Sequence, residues 1–344
     1  MAVDIFTPRT MIRALNQENV ANTFLLDLLF TNVEVSDTKY VDIDIVKGDE
    51  RLAPFVAPIV EGELVEDQGY KTNTYEPPYI KPKFMTSAAQ LLNERNPGTS
   101  IYGGESPAQR AALKLTKEIQ DGEKMIRRRE EWMAAQAITT GTITVSGKGV
   151  ERVIDFGMAA SHKVTLSGTD LWSDTTNSDP ISDIKEWGRL VSDDGDANAD
   201  VIIGGAGAID ALLGHPKVKE ALDTRRIDLG LIDPKQLAKG VIYHGTIKDT
   251  GVNMDVYEYN GSYKDESGTR QRYIADGRIV VTSTTADFRR NYAAIQDLDA
   301  GLVAMPIFVK SWEEKDPSGR VVLLQSAPLP APHQIDAIVT AAVL

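Results

Sequence analysis

The sequence predicts an α+β fold with long extensions. Three observations lead to this class: one very long helical pattern, a strand-rich final third, and a proline-rich segment in the first quarter. The chain has 344 residues, of which 42% are hydrophobic and 25% are charged. This length suggests about two domains, and the composition is ordinary for a globular protein, so disorder of the whole chain is excluded.

The first thirty residues are typical of an arm. Thr7-Pro8 is a plausible helix start, because Thr7 can cap the helix and proline suits its first position. The segment Phe24–Phe30 then places six apolar residues around Asp27. Such a segment could be a buried core element, and on an arm it could equally dock on another subunit.

Residues 40–83 favour strands and loops. Tyr40–Ile45 alternates apolar and acidic residues, which is the period of a half-exposed strand. The prolines and glycines that follow exclude a helix and restrict strand pairing; they are Pro54, Pro58, Gly62, Gly69, Pro77, Pro78 and Pro82. The pattern predicts a long β-hairpin or extended loop that projects from the body, and loops of this length are usually functional.

The strongest local signal predicts a helix from Pro107 to about Thr140. Ser106-Pro107-Ala108-Gln109 is a capping box with proline at the first helical position. Apolar or small residues then recur at helical spacing, at Ala111, Leu115, Ile119, Gly122, Ile126, Met133 and Ala137. At about 1.5 Å per residue this helix would be roughly 50 Å long. The run Arg127–Glu131 on the opposite face indicates a solvated surface, or one that reaches a neighbouring chain.

Short helices and many strands follow residue 142. Helices are expected from Asp179-Pro180 to Val191, near Ala208–Leu213 and at Lys217–Leu222. The expected strands include Val201–Ile203, Val241–Tyr243, Met254–Tyr259, Tyr273–Ala275, Ile279–Thr282, Leu302–Trp312, Arg320–Gln325 and Ile335–Val343. Lys315–Gly319 is rich in turn-forming residues and reads as the tip of a hairpin.

Charge and cysteine content exclude several classes of protein. The formal net charge is −13, from 37 Lys and Arg against 50 Asp and Glu. An acidic chain repels phosphate, so a general nucleic-acid binder is disfavoured. The absence of cysteine excludes disulfides, thiolate zinc sites and cysteine nucleophiles. No segment approaches the roughly 20 apolar residues of a membrane span and no signal-peptide pattern is present, so we expect folding in a reducing cytosol without membrane contact.

No motif indicates catalysis, a metal site or an organic cofactor. The acidic loop that begins at Asp194 fails the calcium-loop pattern, because Ala199 and Gly205 stand where glycine and glutamate are required. Gly204–Gly207 follows an apolar strand and precedes a helix, but Asp210 stands where a dinucleotide turn has its third glycine. A tight strand–helix turn is expected there. The alternative is a dinucleotide-linked enzyme that uses the Val201–Gly207 turn.

An apolar arm, a proline-rich loop and a very long helix each expose surface that a monomer would struggle to satisfy, which favours an assembly protein. Six stretches in order along the chain strengthen this interpretation: Phe24–Phe30; Pro58-Ile59-Val60 with Gly62-Glu63; Tyr79 with Lys81-Pro82-Lys83; Val218–Glu220 with Leu222–Arg226; Ile295–Asp297 with Asp299-Ala300; and Gln325–Leu329. In these stretches the chain resembles the lambda-type major head proteins, the phage capsid E family, over nearly its whole length.

The resemblance implies a Hong Kong 97-type capsid fold in four parts. Residues 1–39 would form the N-terminal arm, and residues 40–87 the extended loop that lies over an adjacent subunit. Residues 88–180 and 291–327 would form the peripheral domain around the spine helix 107–140. Residues 181–290 and 328–344 would form the axial domain, which meets its copies at five-fold and six-fold axes.

The same resemblance implies a major capsid protein, without enzymatic activity or cofactor, that assembles as hexamers and pentamers into the icosahedral head of a tailed double-stranded DNA phage. It would enclose DNA without specific binding, belong to the virion and assemble in the host cytoplasm. Its partners would be copies of itself, a scaffolding protein, a portal and possibly a decoration protein. Inter-subunit contacts are expected at Phe24, Phe30, Phe55, Val56, Ile59, Tyr79, Lys81, Arg225, Arg226 and Asp316.

One departure concerns scaffolding. Some relatives carry a fused scaffolding domain before the arm, whereas the arm begins at Met1 here, so a separate scaffolding protein is expected. An encapsulin-like compartment or another phage structural shell protein is the alternative within the same fold.

Overall fold

The computed structural model describes residues 23–45, 71–88, 90, 107–223, 235–238, 240–249, 252–316 and 318–344. Within them, strands outnumber helices and the predicted α+β class is confirmed. The helices are α1 (Phe24–Leu28), α2 (Pro107–Thr140), α3 (Pro180–Gly195), α4 (Ala206–Gly214) and α5 (Pro216–Asp223).

Seven strands form the large sheet, in the order β7-β19-β14-β8-β11-β10-β9. Their bounds are β7 (Lys163–Thr165), β8 (Val201–Gly204), β9 (Lys235–Ala238), β10 (Val241–Asp249), β11 (Val252–Tyr259), β14 (Arg278–Thr282) and β19 (Ile338–Ala342). The sheet is mixed, because β7 with β19 and β8 with β11 pair in parallel while the other pairs are antiparallel.

Smaller sheets surround it. One has the order β1-β15-β18 and another the order β16-β17-β4, and β2-β3, β5-β6 and β12-β13 are separate pairs. The bounds are β1 (Asn32–Ser36), β2 (Val41–Ile45), β3 (Lys71–Tyr75), β4 (Lys83–Ser87), β5 (Thr142–Gly147), β6 (Val150–Asp155), β12 (Ser262–Lys264), β13 (Arg270–Arg272), β15 (Phe288–Ala293), β16 (Phe308–Lys315), β17 (Ser318–Gln325) and β18 (Pro328–Pro332).

Helix α2 has the limits that the sequence predicts. It ends where Gly141 adopts a left-handed conformation (φ +70°) and donates its N–H to the carbonyl of Ala137, as glycine commonly does after a helix. Ser106 of the capping box lies outside the described residues. Of the predicted apolar face, Leu115, Ile119 and Ile126 pack with residues of β16 and β17, whereas the C-terminal part joins the main core. The helix therefore connects two cores.

Two sequence expectations are corrected. Residues 302–307 are not part of a strand, because Gly301 and Leu302 adopt left-handed conformations (φ +70° and +57°) and β16 begins only at Phe308. Residues 273–275 are not a strand either, because β13 ends at Arg272 and the chain bends after the Tyr273 N–H has donated to the Gly261 carbonyl (3.1 Å).

The end of the run Arg127–Glu131 is buried rather than solvated. Glu131 is fully inaccessible, and its Oε1 accepts hydrogen bonds from the Leu25 N–H (2.8 Å) and the Tyr259 hydroxyl (2.8 Å). Its Oε2 accepts one from the Leu26 N–H (3.2 Å). The carboxylate thus satisfies the first N–H groups of α1, which no side chain of the Thr23 cap satisfies, and joins α1, α2 and β11.

Neighbouring Glu130 is buried as well. Its Oε2 accepts a hydrogen bond from Arg127 (3.0 Å) and a longer one from the Tyr292 hydroxyl (3.4 Å). Burial raises the pKa of Glu130, and the positive charge of Arg127 opposes that rise. Burial also raises the pKa of Glu131, from 4.5 to about 7, because its three hydrogen bonds offset the loss of hydration only in part.

The Glu131→Gln substitution tests this junction through pH. A carboxyl whose pKa is raised on folding stabilises the fold below its unfolded pKa and loses that contribution as pH rises through the folded value. Relative to the variant, the unassembled chain should lose roughly 2–3 kcal/mol of unfolding free energy between pH 4.5 and about 8. Denaturant titration at several pH values measures this loss. The exposed Glu266→Gln variant is the control. The expectation would be contradicted if the unfolding free energies of the unchanged protein and of Glu131→Gln varied in parallel with pH.

Gly195 tests how closely α3 packs. A Cβ at this buried glycine would lie 2.6 Å from both Cα and N of Ala337, which are backbone atoms that cannot rotate away. Gly195→Ala should therefore lower the unfolding free energy by about 1–3 kcal/mol. Gly214→Ala is the matched control, because no atom lies within 4 Å of its Cβ; it should be neutral or slightly stabilising. Equal stability of the two variants would refute the close approach.

Candidate assembly surfaces

The extended segment 40–87 is attached to the body at both ends. Strands β2 and β3 pair antiparallel from Val41↔Tyr75 to Ile45↔Lys71, so residues 46–70 connect two paired strands. Strand β4 then adds to the edge of the β16–β17 hairpin. Arg152 of β6 binds this segment too, through the Glu76 carboxylate (2.8 Å) and the Pro77 carbonyl (2.9 Å).

Tyr79 and Lys81 lie together on the described part of this segment. The half-buried Tyr79 donates its hydroxyl proton to Gln325 Oε1 (2.8 Å) and accepts a hydrogen bond from the Gln296 N–H (3.2 Å). Burial raises the pKa of Tyr79. Lys81 is exposed, and its Nζ lies 4.7 Å from the centre of the Tyr79 ring. The tyrosine hydroxyl is used within its own chain, whereas Lys81 remains accessible to a neighbour.

The apolar segment 24–30 is part of the subunit core. Phe30 has no exposed surface and its ring lies 5.6 Å from that of Phe288, so its expected inter-subunit contact is wrong. Phe24 is partly buried, with its ring 5.4 Å from Tyr257 and 5.2 Å from Tyr259. The physical reason is that α1 turns its apolar side chains towards α2 and the large sheet. Of the two alternatives that the sequence leaves open for this segment, the structure shows the buried one.

The tip of the β16–β17 hairpin is charged. Lys315 pairs with Ser318 across the tip, and Asp316 is exposed beside it. Asp316 is therefore available to another subunit, as expected from the sequence, and its contact stays a prediction. Phe55, Val56, Ile59, Arg225 and Arg226 lie outside the described residues, so their contacts also stay predictions.

Sequence reasoning missed an exposed apolar strand. In β1, Val33 and Val35 lie two residues apart on the same face, and they are 54% and 53% exposed. Within the described residues β1 is the outer strand of its sheet and pairs only with β15. The alternation Asn32-Val33-Glu34-Val35-Ser36 was the available signal. An exposed edge with apolar side chains is typical of surfaces that another chain covers.

The glycine turn at the end of β8 is filled by the chain's own backbone. A Cβ at Gly205 would lie 2.4 Å from the carbonyl oxygen of Ala275 and 2.6 Å from Asp276 Cα. The Ala208 N–H at the start of α4 donates to the Asp276 carbonyl (2.7 Å). A dinucleotide turn needs this space and these N–H groups for a pyrophosphate. The tight strand–helix turn expected from the sequence is the better description.

The described residues contain no group of three or more His, Cys, Asp or Glu side chains that could hold a metal ion. Every helix in that part of the chain is too short or too polar to cross a membrane.

Comparison with known proteins identifies the family. The model of the phage major capsid protein E family matches residues 7–343. The chain is 31% identical to the major capsid protein of Enterobacteria phage P21 over 94% of this chain and 95% of that one. It is 28% identical to the major capsid protein of Escherichia phage lambda over 95% of this chain and 96% of that one.

Solved structures show the same fold. A prophage capsid protein of Escherichia coli CFT073 matches with a TM-score of 0.69 and 22% identity, over 98% of this chain and 99% of that one. A phage-related protein of Bordetella bronchiseptica matches with a TM-score of 0.55 and 13% identity, over 98% and 96%. The fold is the Hong Kong 97-type capsid fold that the sequence resemblance implies. By family match, identity and fold, the chain belongs to the phage major capsid protein E family.

Proposed function

We propose that this major capsid protein assembles as hexamers and pentamers into the icosahedral head of a tailed phage and encloses its double-stranded DNA genome. The observation that carries the proposal is the family match over residues 7–343. It favours a phage head over an encapsulin-like compartment. Self-association follows from the same membership, because a capsid protein forms a shell from copies of itself.

The four parts of the subunit take separate roles in this proposal. The arm (1–39) and the extended loop (40–87) reach neighbouring subunits, and the axial domain (181–290 with 328–344) meets its copies at the symmetry axes. The peripheral domain (88–180 with 291–327) forms the rest of the wall. The paired ends of residues 46–70 support this arrangement, because a short segment interrupted by Pro54 and Pro58 and closed by two paired strands is too small to form a core of its own.

Charge fits the role of a container. A net charge of −13 avoids the strong phosphate binding that would hold DNA on the wall and hinder its packaging. A scaffolding protein, a portal and a decoration protein are the further partners that we propose, with assembly in the host cytoplasm and the mature protein in the virion. The protein then acts by binding its copies, with no catalytic step.

Negative-stain microscopy of the purified chain, with sedimentation analysis, tests the proposal. Closed shells or rings with five-fold and six-fold symmetry are expected once scaffolding protein is supplied. Dimers or tetramers under every such condition would refute it.

Arg225 and Arg226 provide a test at the axial domain. They follow α5 in an acidic chain, and arginine binds a carboxylate of a neighbouring subunit through two parallel hydrogen bonds. The double variant Arg225→Ala/Arg226→Ala should fold normally by circular dichroism yet form far fewer shells in sedimentation. Even a contact worth about 1 kcal/mol contributes to assembly, because it recurs at every interface of a ring and the contributions add up.

Two further results would decide against this interface. Shells at normal yield in the double variant would remove the arginines from it. Loss of the folded signal would assign them to stability within the subunit. The exposed pair Arg270→Ala/Arg272→Ala on β13 is the control for loss of two positive charges.

Hydrogen exchange tests the extended loop. Residues 71–83 are already paired and hydrogen-bonded within their own subunit, so the test concerns residues 55–70. These should exchange slowly in shells and quickly in the unassembled chain, if another subunit covers them. Exchange measured by mass spectrometry on both forms gives the comparison, with α2 as the internal reference that is protected in both. Equal exchange of residues 55–70 in the two forms would show that the loop packs on its own subunit.

A further inference from the structure

A short turn between β15 and β16 presents three large apolar side chains to solvent. Leu298 is 85% exposed, Leu302 is 55% exposed and Val303 is 52% exposed. Leu298 has the largest exposed fraction among the large hydrophobic side chains of the described residues. We call residues 298–303 the apolar turn.

The apolar turn is held in one conformation by its backbone. Ala294 and Ala304 form a bridge that closes the loop, and the Ile295 N–H donates to the Val303 carbonyl (3.2 Å). A 3₁₀ turn at Leu298–Ala300 follows. Leu302 has a left-handed backbone (φ +57°), which is unfavourable for a leucine and persists only where the surroundings impose it.

Side chains beneath the turn anchor it. The Asp297 carboxylate accepts hydrogen bonds from Lys310 Nζ (2.6 Å), Gln325 Nε2 (2.5 Å) and the Asp299 N–H (3.0 Å). Lys310 also binds Asp299 (3.2 Å). Gln325 is itself fully buried and holds Tyr79 of the extended segment. Lys310 therefore pairs with both carboxylates, and the exposed surface of the turn consists of the three apolar side chains and the Asp299 side chain beside them.

We propose that the apolar turn docks into a second copy of this chain in the assembled shell. The inference rests on the proposed function, because it requires that shells form, and it identifies a surface through which the copies bind. A rigid loop that already displays its apolar side chains loses little conformational freedom on binding. The strained leucine is then explained, because its conformation places Leu302 on the contact surface.

The chemistry of the turn selects this partner. A nucleic acid would need free basic side chains, and Lys310 is engaged by Asp297 and Asp299. A membrane surface would need a wider apolar face bordered by basic residues. Copies that each carry a net charge of −13 repel one another, so their contact is favoured where the surface is uncharged. Asp299 is the only ionisable residue among residues 298–303, and Lys310 offsets the charge of its exposed carboxylate.

Leu298→Ser and Leu302→Asn separate docking from folding. Leu298 is too exposed to contribute much to the subunit core, and asparagine tolerates the left-handed conformation better than leucine does. The thermal midpoint of the unassembled chain should be unchanged for the first variant and unchanged or raised for the second. The yield of sedimenting shells should fall at least tenfold in both. Val153→Thr removes exposed apolar surface elsewhere and is the matched control.

A photo-cross-linking amino acid at position 298 identifies the occupant. Illuminated shells should give a product of twice the mass of the chain, whose linked peptides come from two copies. No cross-link, or a cross-link to a different protein, would overturn the proposal. Normal shell yield in Leu298→Ser and Leu302→Asn, or an equal loss in Val153→Thr, would overturn it too. The proposed function fails separately, if the unmodified chain forms no shells.

Discussion

A carboxylate removed from water must find its hydrogen bonds within the protein, and Glu131 finds them on two separate pieces of chain. Two donors are the N–H groups of Leu25 and Leu26, and the third is the Tyr259 hydroxyl at the end of β11. An unpaired carboxylate at this depth would be very costly. The N-terminal segment, the long helix and the large sheet are therefore fixed relative to one another by one side chain.

A second chain of hydrogen bonds connects the elements that face outward. It runs from Tyr79 through Gln325 to Asp297, and from there to Lys310. Its members belong to the extended segment, to both strands of the β16–β17 hairpin and to the residue just before the apolar turn, and Lys310 also binds Asp299 within the turn. Displacement of one of these elements would disturb the hydrogen bonds of the others. The extended segment and the apolar turn are thus parts of one supported surface.

Local signals in the sequence predict local features well. The limits of α2 follow from proline at its start, glycine after its end and a regular apolar period, all of which act within a few residues. The burial of Glu131 could not be predicted, because its donors lie far away in sequence and the run Arg127–Glu131 resembles a solvated face. Phe24–Phe30 was ambiguous for a related reason, since a core and an interface both select apolar residues. The predicted strand Leu302–Trp312 begins too early, because a leucine with a left-handed backbone is rare and the sequence does not signal it. The contacts between subunits depend on surfaces that a single chain does not bring together.

The position of β19 has a consequence for the order of folding. This strand (residues 338–342) lies inside the large sheet between β7 and β14, and β18 just before it pairs with β15. Within the described residues β7 pairs only with β19, which lies far from it in sequence, and pairings this remote form late in folding. Until residues 328–342 pair, β7 has no neighbour in the large sheet and β15 keeps one edge open. One short stretch of chain therefore completes both sheets.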